Sequence, residues 1–164
     1  MSVEFQDFSI QVKEALDEAA LIGLELAASE IKTQAARNSR TDTGHLKGSW
    51  EQIVDESAYK VTIGSPLENA IWEEFGTGEY ATEGSHGGGY WVFVKDGDSG
   101  GEKKLGKRYS LEKAKQIVAM MRADGLDAYY TKGKKPNRTL QRAFESKKNT
   151  AIRLIKRSIK EAMK

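Results

Sequence analysis

Apolar residues recur at helical spacing over an unusually long stretch, from Phe5 to about Asn38, and this periodicity constrains the fold more than any other feature of the sequence. Val12, Leu16, Ala19, Ile22 and Leu26 form one stripe, and Ala15, Gly23, Ala27 and Ile31 stand one step round it. The pattern predicts one long amphipathic helix that must bury its stripe against another element. Asp7 or Ser9 is placed to cap its start, and Asn38, Ser39 and Arg40 break the period at its end. Gly23 weakens the helix centre by about 1 kcal/mol against alanine. With Ala27 and Ala28 it also makes a smooth patch against which another element can pack closely.

The opposite end of the sequence repeats the signal. After the turn KGKKPN, residues Leu140, Phe144, Ala151, Ile155 and Ile159 mark a last long helix with Lys and Arg on its other sides. Between the two helices the period changes. Ser49 to Val54 and Tyr59 to Ile63 read as two strands around a polar connection, and a hairpin is the simplest arrangement. Asn69 to Phe75 fits either a helical turn or an extended edge, while Tyr90 to Val94 and Asp127 to Thr131 read as strands. Ser110 caps a helix with Leu111, Ala114, Ile117, Val118 and Met121 on one face, ending at Asp124 and Gly125. Two glycine-rich stretches, Glu79 to Gly89 and Asp96 to Lys107, read as long flexible loops. The expectation is one α+β domain over residues 1–164, its mostly antiparallel sheet packed against long N- and C-terminal helices.

Composition narrows the functional classes. The chain has no cysteine, which excludes disulfides and thiolate metal sites and suits a protein made in a reducing cytoplasm. No basic segment precedes an apolar core at the start, so no secretory signal is expected, and no apolar run reaches the ~20 residues that span a bilayer. The net charge of +2 is unevenly placed: Lys132 to Lys164 holds 12 Lys/Arg against Glu145 and Glu161, leaving the first 131 residues at −8. Such asymmetry steers partners of either sign.

Enzyme chemistry finds little support. His45 and His86 with Asp42, Glu73, Glu74 and Glu79 make no ligand pair at helical spacing, so no metal, cofactor or catalytic residue is expected. On a strand, the adjacent Glu73 and Glu74 would point to opposite faces, which suits a solvated edge or an intersubunit salt bridge. The run Gly84 to Gly89 lacks the Lys-Ser/Thr of a phosphate loop. The basic C-terminal helix, with Arg153, Lys156 and Arg157, reads first as a solvated or interface face and second as a phosphate-contacting surface. Trp72 and Tyr80, on either side of the EFGT segment, are the leading candidates for exposed contacts.

Three stretches in order carry a resemblance. TDTGHLKGSW, Thr41 to Trp50, follows the first helix and is built for a turn: Asp42 and Thr43 lead into Gly44, where a positive φ reverses the chain. ENAIWEEFGTGEY, Glu68 to Tyr80, has an EFGT core of Glu74, Phe75, Gly76 and Thr77, in which Phe75 anchors and Gly76 permits a sharp exit. KKPNRTLQRAFE, Lys134 to Glu145, leads into the last helix.

These segments resemble motifs of the tail-completion, or neck, family of tailed phages, small proteins that join head to tail. The first is similar to the family's (V/T)DTG(R/H)L(R/K)xS turn and the second to its YAxYxEFGT segment. The third resembles its PxPFLRPAFE lead-in but carries Arg138 and Thr139 in place of apolar residues and lacks the second proline. The resemblance spans about residues 8–80 and 130–164, so about 81–130 is an insertion relative to the family's short form. It implies a non-enzymatic virion protein at the head–tail junction, made in the bacterial host cytoplasm and needing no membrane. Its partners would be further copies of itself in a ring of six, head-completion or connector proteins, and tail-terminator or tail-tube proteins. Non-specific contact with DNA in the lumen goes with that placement. The alternative is a DNA-binding accessory protein that uses the basic C-terminal helix.

Overall fold

The computed structural model describes residues 7–40, 44–82, 89–95 and 102–164. The fold is α+β with long helices towards both ends, and the described residues divide into two compact units. One comprises Met1–Ala70 with Thr139–Lys164; the other is the continuous segment Ile71–Arg138. The strands form two small antiparallel sheets where one was expected, one in each unit.

In the first unit, α1 (Ser9–Asn38) runs antiparallel to α5 (Thr139–Ala162). Three contacts fix the direction: the Asn38 side-chain amide donates to the Thr139 carbonyl at 3.2 Å, Lys147 pairs with Glu30 at 2.9 Å, and Gly23 lies against Ile155. The residues buried on α1 are Ala19, Gly23, Ala27, Ala28, Ile31 and Ala35, nearly all small. Val12, Ile22 and Leu26 from the expected stripe are instead about half exposed. The reason is distance: a Cβ on Gly23 would stand 2.9 Å from Ile155 Cα, so the helices approach too closely for large side chains in the seam. The same exchange occurs on α5, where Ala143 is fully buried and its neighbour Phe144 is 51% exposed.

The helix starts without the expected side-chain cap. Phe8 is the N-cap residue, and the Asp7 carboxylate instead accepts the Ser9 amide at 2.9 Å. The turn after α1 leads into α2 (His45–Gly48), with Gly44 at φ 79; Asp42 and Thr43 lie outside the described residues. Strands β1 (Glu51–Asp55) and β2 (Lys60–Gly64) then pair in the predicted hairpin, from Glu51↔Gly64 to Asp55↔Lys60. The Asp55 carboxylate closes its turn by accepting from Ser57 Oγ at 2.7 Å and the Ala58 amide at 3.1 Å, which holds its pKa below the ordinary carboxylate value. Trp50 belongs to this unit's buried core with Ile31, Ala35, Leu46 and Ala143. Its indole N–H donates to Ser39 Oγ at 2.8 Å, and that hydroxyl donates to the Ala35 carbonyl at 2.9 Å.

The second unit has β3 (Trp91–Lys95) at the centre of its sheet, with β4 (Glu102–Lys104) on one side and β5 (Ala128–Thr131) on the other. The Asp96–Lys107 stretch is therefore not wholly loop. Glu-Lys-Lys carries no apolar alternation, and its strand character comes only from pairing, Phe93↔Lys104 to Lys95↔Glu102. Helix α4 (Leu111–Ala123) covers one face of the sheet: Val92, Ala114, Val118 and Ala128 form a buried cluster against which Ile117 and Met121 pack. Leu111 departs from the predicted face, being 38% exposed. The Ser110 hydroxyl caps the helix by accepting the Lys113 amide, and Gly125 follows its end at φ 80. The parts of the two glycine-rich stretches at 83–88, with His86, and at 96–101 lie outside the described residues.

Candidate functional site

Helix α3 (Glu68–Phe75) settles the conformation of the ENAIWEEF segment. It ends at Gly76, φ 75, whose amide donates to the Trp72 carbonyl at 3.0 Å. Beyond it the chain forms a short 3-10 turn over Gly78–Tyr80. This stretch does not end in open loop. It lies alongside residues 132–138, so the second and third of the quoted motifs meet.

The two strands of this clamp are joined through their backbones. The Thr77 amide donates to the Lys134 carbonyl at 2.9 Å, the Lys134 amide donates to Thr77 Oγ1 at 2.9 Å, and the Glu79 amide donates to the Lys132 carbonyl at 3.0 Å. The Glu73 carbonyl, at the end of α3, accepts from the Asn137 amide at 2.7 Å and the Arg138 amide at 3.2 Å. Arg138 is held at φ 50, a conformation rare for a residue with a side chain. Two glycines make the close approach possible. A Cβ on Gly78 would fall onto the Lys132 carbonyl and 2.5 Å from the Trp91 ring; one on Gly133 would fall onto the Thr77 carbonyl.

Electrostatics follow the same lines. Glu73 is 3% exposed, and Lys134 pairs with its carboxylate, so the expected solvated edge or intersubunit bridge is an internal ion pair. The strand geometry assumed for Glu73 and Glu74 is replaced by a helix, on which Glu74 is half-buried. Lys132 pairs with Glu79 at 3.0 Å, and the hydrogen bond to that carboxylate, followed by one to the Tyr80 hydroxyl, raises the lysine pKa above its ordinary value. Lys132 and Lys135 also stand 5.2 and 5.6 Å from the centre of the Tyr80 ring.

The predicted site residues thus separate into groups. Glu74, Phe75, Gly76, Thr77 and Tyr80 belong to the clamp, with Phe75 and Tyr80 half-buried. Ile71 and Trp72 present the outer side of α3, at 60% and 37% exposure. Arg153 and Lys156 are exposed on α5, in the other unit, where Arg157 pairs with Glu161 at 2.8 Å. Sequence reasoning gave Lys134 and Gly133 no role of their own and assigned Glu73 to the surface. The signal for the lysine and the glycine was the run KGKKP, which reads as a turn. Among the described residues no group of three or more His, Asp or Glu side chains is placed to hold a metal ion, and no helix is long and apolar enough to cross a membrane.

The Glu73–Lys134 pair gives a direct check on the clamp. Lys134→Met removes a cation facing a buried carboxylate and is expected to cost about 1–2 kcal/mol in denaturant unfolding. This is below the ~3–5 of a fully buried pair, because half of the lysine side chain is in water. Glu73→Gln combined with Lys134→Met should recover part of that loss, and a double variant weaker than both singles would contradict the pairing.

No family model, no curated protein and no solved structure matches the chain.

Proposed function

We propose that this chain is a structural subunit of a tailed phage or prophage, completing the tail and joining it to the head through assembly of its own copies and docking on neck or tail-tube proteins. The observation that carries the reading is the meeting of two motifs quoted for the resemblance. Glu73 to Glu79 and Lys132 to Arg138 are used against each other, amide to carbonyl, and their glycines are occupied by close packing. Residues spent in this way maintain a shape. What the motif turns outward is an apolar pair, Ile71 and Trp72, and a large aromatic beside a branched aliphatic is the composition of an interface anchor.

The test uses a lysogen carrying the gene. Deletion is expected to give filled heads and unjoined or abnormal tails in the induced lysate, viewed by electron microscopy, with joining restored by the intact chain. Intact virions after deletion would overturn the proposal. The double substitution Ile71→Glu and Trp72→Glu is expected to leave the circular dichroism spectrum and unfolding midpoint close to those of the parent while lowering joined particles at least tenfold. A folded double variant that complements fully would remove these two residues from the interface.

A further inference from the structure

Packing α1 against α5 through small residues leaves large apolar residues of both helices outside the seam. On α1, Ile22 and Leu26 are half exposed one turn apart, and Ala15 stands two turns before Ile22 on the same face. The exposed Glu14, Glu18 and Glu25 run along one edge of that face. On α5, Ile152 and Met163 are 42% and 72% exposed with half-buried Ile159 between them, and the exposed Arg153, Lys156 and Lys160 run along one edge. Each helix therefore carries an apolar stripe with an edge of one charge, acidic on α1 and basic on α5. The first opposite charges on those edges, Lys32 and Glu145, lie more than a turn beyond Leu26 and before Ile152.

The two stripes lie on opposite sides of the helix pair. Ile22 lines a groove beside the seam with Ala15, Glu18 and Ala19 of α1 and with Glu161 and Ala162 of α5. Glu161 pairs with Arg157 at 2.8 Å, which offsets its charge there. Ile152 precedes Glu161 by nine residues, about two and a half turns, so it projects from the far side of α5. One copy cannot bring its own α5 stripe to its own groove.

We propose that the groove face of one copy receives the α5 stripe of a second copy. Ile152, Ile159 and Met163 would seat against Ala15, Ala19 and Ile22 while Arg153, Lys156 and Lys160 meet Glu14, Glu18 and Glu25. Shape and charge select that occupant. Projecting aliphatic side chains suit a groove floored by alanines, and the flanking charges attract between unlike faces where two like faces would repel. Because the two patches are different and lie on opposite sides, the contact is heterologous: each copy offers one groove and one stripe, and repetition gives a ring where the rotation closes. The inference gives a surface to the assembly of copies proposed above and rests on that reading only for its setting. Copies that associate in this way without joining heads to tails would keep the one and remove the other.

The test is sedimentation velocity of the purified full chain at concentrations up to ~200 µM, with association expected at a Kd below ~100 µM. Raising salt from ~50 to ~500 mM should weaken it about fivefold or more, because the flanking charges are exposed and screened. Glu18→Lys with Glu25→Lys should weaken association by about tenfold or more, and so should Lys156→Glu with Lys160→Glu, since each sets like charges face to face. An equimolar mixture of the two variants should return to within about threefold of the parent, because every mixed contact again joins opposite charges. That recovery also shows that both variants are folded. A chain monomeric throughout, association indifferent to salt, either variant associating like the parent, or a mixture that fails to recover would each overturn the proposal. Flotation of a monomeric chain with phosphatidylglycerol vesicles, lost in Lys156→Glu with Lys160→Glu, would overturn it too and assign the α5 stripe to an anionic lipid surface.

Discussion

Alanine at Gly133 is expected to lower the stability of the Ile71–Arg138 unit by about 3–5 kcal/mol, the effect of combining a backbone conformation essentially closed to side chains with a steric clash. Gly133 has φ 134, and its added Cβ would fall onto the Thr77 carbonyl oxygen, 2.7 Å from Thr77 C and 3.0 Å from Gly78 Cα. These atoms are backbone and cannot rotate away. Relief requires the two segments of the clamp to part, which breaks the hydrogen bonds donated by the amides of Thr77, Glu79 and Lys134 together. Denaturant unfolding measures the loss, and hydrogen exchange locates it: protection at Thr77 and Glu79 should fall before protection at Val92 in the sheet. Gly78→Ala should behave alike, since its Cβ meets the Lys132 carbonyl at φ 63. A Gly133→Ala protein within about 1 kcal/mol of the parent, the typical loss for an arbitrary substitution, would show that the clamp is not formed as described.

The second large effect belongs to the other unit. Trp50→Ala removes the largest side chain of the core formed by Ile31, Ala35, Leu46 and Ala143, and is expected to cost about 3–5 kcal/mol. Trp50→Phe separates packing from hydrogen bonding. It keeps most of the ring, takes the indole donor from Ser39 Oγ, and should cost about 1–2 kcal/mol. The ordering Ala, then Phe, then Ser39→Ala nearest the parent is read from urea midpoints at constant slope. A Phe variant as unstable as the Ala variant would assign the tryptophan's contribution to the hydrogen bond and not to its bulk.

What was legible in the sequence was what depends on neighbours in the chain. The periodicity that placed α1, α4 and α5, the Ser110 cap and the Gly125 stop all act within one or two helical turns. The periodicity points the large apolar residues inward, whereas the stripe that α1 buries is the small one. Which side chains a helix buries depends on how near its partner lies, and Gly23 sets that nearness through a residue more than a hundred positions away. Strand β4 escaped notice for a similar reason, since Glu102–Lys104 becomes a strand by pairing with β3. The clamp was the least legible part. Its motifs were recognisable singly, yet nothing in EFGT or KGKKP states that Thr77 and Lys134 will exchange hydrogen bonds.

The pairing of α1 with α5 also orders events in time. During synthesis the first long helix leaves the ribosome well before its partner, whose residues from Thr139 onward come after the whole Ile71–Arg138 segment. That segment is continuous and can close on itself early, whereas the unit holding Trp50 waits for α5 to supply Ala143 and Ala151. Closing contacts over so long a separation is slow, and the small-residue seam of α1 stays uncovered in the meantime. A seam of alanine and glycine is a mild surface to leave waiting, offering far less apolar area for mispairing than leucine or isoleucine would. The composition that lets the two helices approach closely in the finished molecule also shields the nascent chain while the second helix is still being made.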